Sequence, residues 1–259
     1  MTPTPAAKNL TRAARWAGRP DPRLPQWWRT TRWMLAMHLY LALWFWTIVL
    51  LLAVAVVLVV AQLGEASFSI FQFATHGALW FPFAIMIITS GAMLTPHVVQ
   101  GCTRRSFIIA ALLVALVLAV LYGMIMTAGL ALEAAVYDAL GWSHSHIAQA
   151  TGDADVLVPW QEPGPLTWLT YATRTGGGAV GGLLVGAGYY RFGPWRGTAL
   201  LLVVALPAVA AQDSISGFLH RLTGSGLGLN AVLILVLMAL GALAYALLVR
   251  RIPLIAPRS

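Results

Sequence analysis

Two adjacent arginines, Arg104 and Arg105, stand in the stretch "QGCTRRSF", directly after a turn-forming glycine, Gly101. Arginine is always charged and presents a rigid fork of donors, so the pair is suited to gripping carboxylates on a partner. A second group with chemical potential is "GWSHSHIAQATGDADV", in which His144 and His146 stand two apart and Asp153 and Asp155 follow. Imidazoles with carboxylates can ligate a transition metal. The spacing matches no zinc signature, though, and polar loops collect such residues by default, so no metal site is assigned. The third is Arg174 in "LTYATRTGGGAVGG". If its apolar stretch starts at Leu166, Arg174 lies about 12 Å inside it at a rise of roughly 1.5 Å per residue. A buried cation there is costly and marks a functional position, with Glu133 or Asp213 as its counter-charge. If the stretch starts near Thr175, Arg174 instead snorkels to lipid headgroups.

Other chemistry finds little support. The only lysine, Lys8, lacks the glycines of a G-x-x-x-x-G-K-[ST] loop, so the chain is not expected to hydrolyse nucleotides by itself. Neither H-E-x-x-H nor C-x-x-C occurs, and no Ser/His/Asp or paired-carboxylate arrangement stands out. His38, His76 and His97 fall at or near the ends of apolar stretches, where an imidazole more often serves as a hydrogen-bonded residue than as a proton relay. The expectation is a non-enzyme without cofactor or metal.

The elements that carry these residues must be membrane helices. Of 259 residues, 59% are hydrophobic and 9% charged, against about 25% charged in soluble domains. Mean hydropathy is +0.79. A single cysteine, Cys102, excludes an internal disulfide framework. The net charge of +8 would suggest nucleic acid in a soluble protein, but here the basic residues flank apolar runs, so lipid headgroups and orientation account for it. The first run, beginning at Trp33, is about twice the length of a signal-peptide core and reads as a retained span.

Six stretches approach the roughly 20 apolar residues that a membrane crossing needs: residues 33–62, 71–94, 106–132, 166–190, 198–212 and 227–249. The second contains Pro82, a kink that neighbouring helices must accommodate. The fifth is the shortest and contains Pro207. The expected fold is all-α, a six-helix transmembrane bundle over residues 33–250, with a basic arm at 1–32 and a short tail at 251–259. In the arm, Lys8, Arg12, Arg15 and Arg19 align on one helical face, as a surface-lying amphipathic elbow helix would have them; an unstructured basic tail that only sets orientation is the other reading. The loop from Glu133 to Pro165 is the longest outer piece, and "VPWQEPGP" at its end reads as irregular chain capped by prolines. Fourteen of the sixteen basic residues fall on one side of this scheme and seven of the eight acids on the other. That bias puts both termini in the cytoplasm of a multi-pass cell-membrane protein. Gly178, Gly182 and Gly186 recur every four residues, a small-residue face that lets helix backbones approach.

The blocks "QGCTRRSF", "ALEAAVYDALGW" and "GYYRFGPWRGT" resemble small bacterial six-span permeases of the ABC-2 transporter type. The resemblance implies a basic elbow before the first span, a coupling helix between spans two and three, and a separate ATP-binding chain docked on it. On this reading Gly101, Thr103, Arg104 and Arg105 make the coupling contact, and two permease chains pair as a homodimer or heterodimer. Residues 213–226 take the place where such permeases carry re-entrant helices. A non-transporting scaffold, sensor or immunity-type membrane protein is the alternative.

Overall fold

The computed structural model describes residues 24–64, 68–143, 145–149, 155–159, 167–223 and 227–252. Helix α1 (Gln26–Leu63) contains neither glycine nor proline and is rich in valine. A β-branched run of this kind is a poor helix in water. In lipid, where the backbone must satisfy its own hydrogen bonds, helix is what remains. Gly64 stops it at φ 145°, its N–H closing on the Val60 carbonyl at 3.0 Å. The helix starts seven residues ahead of the first apolar run, so the "QWWRTTRW" lead-in is its first turns. There Thr30 and Thr31 donate back to the Gln26 and Trp27 carbonyls at 3.0 and 2.8 Å, polar turns that hydropathy alone does not register as helix.

A 3-10 turn (Phe71–Phe73) leads into α2 (Ala74–Ala92), and α3 (Leu94–Val99) follows after Met93. Helix α4 spans Arg104–Leu140 and ends at Gly141, left-handed at φ 70°. Strands β1 (Ser145–Gln149) and β2 (Asp155–Pro159) then pair antiparallel, Ser145 opposite Pro159. Helix α5 (Thr167–Thr223) is broken once, at Gly193 (φ 77°, ψ 179°), and α6 (Leu227–Arg250) completes the described chain.

The chain is therefore a predominantly helical membrane protein. Among the described residues, the segments Gln26–Leu63, Phe71–Ala92 and Arg104–Leu140 are long and apolar enough to cross a bilayer. Three features depart from the expected layout. The fold is not purely helical, because the hairpin occupies part of the outer loop, and α4 covers the start of that loop as far as Leu140. Residues 213–223 do not form a separate re-entrant element but continue α5. One acid lowers hydropathy without interrupting backbone hydrogen bonds, so Asp213 does not end the helix. Gly193, which alone inside α5 adopts non-helical angles, does interrupt it.

Contacts sort the element ends into two groups. At one end Gln26 bonds Thr103, Arg104 bonds the Arg250 carbonyl, and Thr95 bonds Tyr190 at 2.7 Å. At the other, Tyr137 donates to the Phe68 carbonyl at 3.2 Å and the Ser69 N–H to the Ser145 carbonyl at 2.8 Å. These are the arginine end and the hairpin end. Helix α6 lies along the first half of α5 in the same direction, with Met238 against Gly176 and Gly241 against Val180 and Leu184.

The core is filled by apolar side chains including Phe107, Met126, Leu130 and Leu183. Phe45 stacks on Phe81 at 4.5 Å and on Tyr122 at 5.8 Å, which ties α1, α2 and α4 together. Pro82 supplies no N–H to the Ala78 carbonyl four residues earlier. Thr175 on α5 takes its place, donating to Ala78 O at 3.2 Å. A neighbouring helix thus repairs the proline defect, as lipid surroundings demand.

Candidate functional site

The candidate site is the turn between α3 and α4 at the arginine end. Its local fold follows from three residues. Gly101 takes φ 80°, where a Cβ is disfavoured, and its N–H closes on the Val98 carbonyl at 3.0 Å. Thr103 caps α4, its hydroxyl oxygen accepting the Ser106 N–H at 3.2 Å. Ser106 returns its own hydroxyl proton to the Thr103 carbonyl at 2.7 Å. With that proton committed, His97 Nε2, 3.0 Å from Ser106 Oγ, must be the donor in the contact between them. Burial pushes the His97 imidazole below its ordinary pKa of 6.5, while a hydrogen bond with the Thr103 backbone pulls the other way.

Two clasps hold this turn to the ends of the described chain. Gln26 Oε1, at the start of α1, accepts from both the N–H (3.2 Å) and the hydroxyl (3.0 Å) of Thr103. Arg104 Nη1 donates to the Arg250 carbonyl at 3.0 Å, where the last turn of α6 is electronegative. Two cations in the first turn of α4 oppose that helix's own dipole, which favours acids there. Arg104 is compensated by α6. Arg105 is exposed, with its charge directed outward.

Around this turn the described charges are all positive. Arg29, Arg32, Arg191, Arg196, Arg250 and Arg251 flank the same end, and the described acidic side chains, Glu133 and Asp138, lie near the C-terminus of α4 at the other. Arg191 covers the Phe192 ring at 5.2 Å, just before the break at Gly193, and Trp195 beyond it is 89% exposed. Such a surface attracts acidic partners and anionic headgroups.

The remaining sequence candidates fall elsewhere. Gly178, Gly182 and Gly186 lie on the backbone of α2: a Cβ on each would meet the carbonyl oxygens of Leu79, Phe83 and Ile87 in turn. Glu133, 8% exposed, accepts from the backbone N–H of Ile70 (2.8 Å) and Phe71 (2.7 Å) and from the Ser69 hydroxyl. It thereby satisfies amides at the start of α2, a helix-capping task performed across more than sixty residues of sequence. Arg174 is half-buried one turn from Tyr171, whose hydroxyl it influences. The side chain of Asp213 lies outside the described residues, as do Lys8, Arg12, Arg15 and Arg19 of the arm and the side chains of His144, His146, Asp153 and Asp155. Among the described residues no His/Cys/Asp/Glu cluster could hold a metal.

Sequence reasoning missed the contribution of Gln26, Thr175 and Ser69. Only the proline at 82 signalled in advance that some neighbour had to donate to a freed carbonyl. A groove of about 630 Å³ opens on the flank of the bundle between the hairpin-end half of α1 and the start of α2, with an apolar lining that includes Val49, Leu52, Val56, Phe71 and Ala74.

Comparison with known proteins identifies no relative: no family model matches the chain, and neither a curated protein nor a solved structure matches it. The fold itself defines the class, a helical membrane protein with one strongly cationic end.

Proposed function

We propose that this chain is the permease subunit of an ABC-type transporter, spanning the cell membrane six times and driven by a separate ATP-binding chain that docks on the arginine end. The observation that carries this reading is the turn at Gly101–Arg105, capped by Thr103, clasped to Gln26 and Arg250, and presenting exposed Arg105 within a field of arginines. A rigid cationic turn tied to both the first and the last helix can pass a push from an acidic partner to either side of the bundle. Six crossings are supported by the shared direction of α6 and the first half of α5, since 194–223 then has to run back between them. Positive-inside bias sets the arginine end, and with it both termini, in the cytoplasm. The absence of a phosphate-binding loop in the sequence calls for a partner that supplies ATP hydrolysis. Two such chains would complete the path, and an export direction follows the resemblance.

The test is recovery of an ATPase with the chain in mild detergent. Arg105→Glu should cut that recovery about tenfold or more, while membrane insertion persists. Wild-type chain that brings down no nucleotide-binding protein refutes the reading. Orientation has its own test in the single cysteine: a membrane-impermeant maleimide should label Cys102, which is half-buried in the coupling turn, from the cytoplasmic side only.

A second reading, a non-transporting scaffold, sensor or immunity-type protein, is favoured by the side-chain packing between the helices and by the position of the apolar groove on the flank. Partner ATPase turnover that is identical with and without this chain would select it.

A further inference from the structure

A buried histidine joins α1 to α2 through Thr89, in a run of three contacts that a neutral imidazole and one hydroxyl have too few protons to fill. His38 is 1% exposed. Its Nδ1 lies 2.7 Å from the Met34 carbonyl and its Nε2 lies 3.0 Å from Thr89 Oγ1. Thr89 Oγ1 in turn lies 2.9 Å from the Ile85 carbonyl. A carbonyl only accepts, so Nδ1 must carry a proton. With a neutral ring, Nε2 is then an acceptor, and the single Thr89 hydroxyl proton has to choose between Nε2 and Ile85 O. With a doubly protonated ring, Nε2–H donates to Thr89, the hydroxyl donates to Ile85, and all three contacts are hydrogen bonds.

We propose that His38 is a buried proton-binding site, and that taking up a proton turns the Thr89 hydroxyl from His38 to Ile85 and tightens α1 against α2. The site works by bond count: two protons serve three contacts in the neutral state, and three serve three in the charged state. It holds the proton with carbonyl and hydroxyl oxygens alone. On α1 the neighbouring ionisable groups are Arg32, toward the arginine end, and Tyr40, which is exposed. On α2 the only one is His76, thirteen residues from Thr89 or about 20 Å along the axis. On α3 it is His97, held by Ser106. On α4 nothing ionisable lies between Arg105 and Tyr122, and Glu133 is engaged at the start of α2. On α5, whose Gly186 packs against Ile87 and Ser90, they are Tyr189, Tyr190 and Arg191, toward the arginine end. On α6 they are Tyr245, which packs against Ser90, the residue after Thr89, and Arg250 in the last turn, which accepts Arg104 at its carbonyl. Among the described residues no carboxylate reaches the ring, so proton affinity at His38 answers to Thr89. The clamp lies on the same helix pair as the apolar groove, nearer the arginine end, so its state bears on how α1 stands from α2. The inference is independent of any ATPase partner.

The experiment is nitrogen NMR of the full chain, labelled at its six histidines, in lipid nanodiscs from pH 9 to pH 4. At pH 9 one ring should be the Nδ1–H tautomer with slow proton exchange, and that signal should vanish in His38→Gln. As pH falls it should become an imidazolium while the Nδ1–H stays bonded. Thr89→Val, which keeps the shape and removes the hydroxyl, should lower its midpoint by about one pH unit, the scale of a hydrogen bond to a charged group. Thr89→Ser should restore it. The wild-type spectrum tests the inference even if a variant fails to fold: six rings with none in the slow-exchanging Nδ1–H form at pH 9 overturn it. So does a His38 ring that stays neutral throughout, or a midpoint unmoved in Thr89→Val.

Discussion

Gly182→Ala is the sharpest probe of how the bundle closes. A Cβ at 182 would run into the Phe83 carbonyl oxygen, with the Phe83 carbonyl carbon and Met86 Cβ both at 3.0 Å. Carbon atoms rest at about 3.5–4.0 Å, and a carbonyl inside a helix cannot swing aside, so α5 must withdraw from α2 by up to about 1 Å. That withdrawal also lifts Gly178 from Leu79 and Gly186 from Ile87, and it lengthens the 3.2 Å bond from Thr175 to Ala78. Forced overpacking costs about 1–3 kcal/mol, and alanine returns about 1 kcal/mol over glycine in helix propensity. The net expectation is a loss of up to about 2 kcal/mol. Gly177 is the control, because a Cβ there meets nothing within 4 Å, leaving only the propensity gain of about 1 kcal/mol. The two variants lie five residues apart on one helix and should move in opposite directions. Unfolding in mixed micelles with rising SDS, followed by tryptophan fluorescence, reads both. Equal midpoints for the two variants, or a Gly182→Ala chain more stable than wild type, would refute the packing argument.

Thr175→Val keeps side-chain volume but leaves the Ala78 carbonyl without its donor. The same assay should show a loss of about 0.6–1.7 kcal/mol, and Pro82→Ala should remove that sensitivity by restoring the backbone N–H. His97 makes the coupling turn pH-dependent. Its imidazole is held below the ordinary value, so the unfolded turn binds the extra proton first. Stability is then complete above about pH 6.5 and declines as pH falls through the folded-state pKa. Amide exchange at Thr103–Phe107 should accelerate relative to the rest of α4 on acidification below that point, and His97→Gln should flatten the dependence.

The large-scale arrangement was readable because lipid makes it so. Apolar runs have to be helices there, and arginines gather at one end. The charge-based sorting of loops agrees with the contacts that bring Gln26, Arg104 and Arg250 together. What escaped reading depends on partners distant in sequence or on local backbone angles. From the sequence Glu133 reads only as a candidate counter-charge for Arg174, and the Ile70 and Phe71 amides that it accepts are invisible there. Hydropathy put breaks both at 191–197 and near Asp213; the dihedral angles break at Gly193, inside the first of these, while the helix runs on through the second. The hairpin was hidden because each strand has only five residues, too few for a convincing alternation.

Several polar side chains of this bundle repair a backbone defect. Thr175 answers the proline in α2, Glu133 and Ser69 serve the start of that helix, and Thr103 with Gln26 serves the start of α4. In lipid a bundle needs such repairs whatever its task, so they carry little information about function. The informative residues are those the repairs do not use. Arg105 opposes the dipole of its own helix from an exposed position, and His38 forms a network whose bond count changes with one proton. Neither makes the fold easier to hold, since a neutral cap and an apolar contact would do better at each position. One looks outward to a partner and the other inward to the seam between α1 and α2. An account of this protein's work has to explain why both were kept.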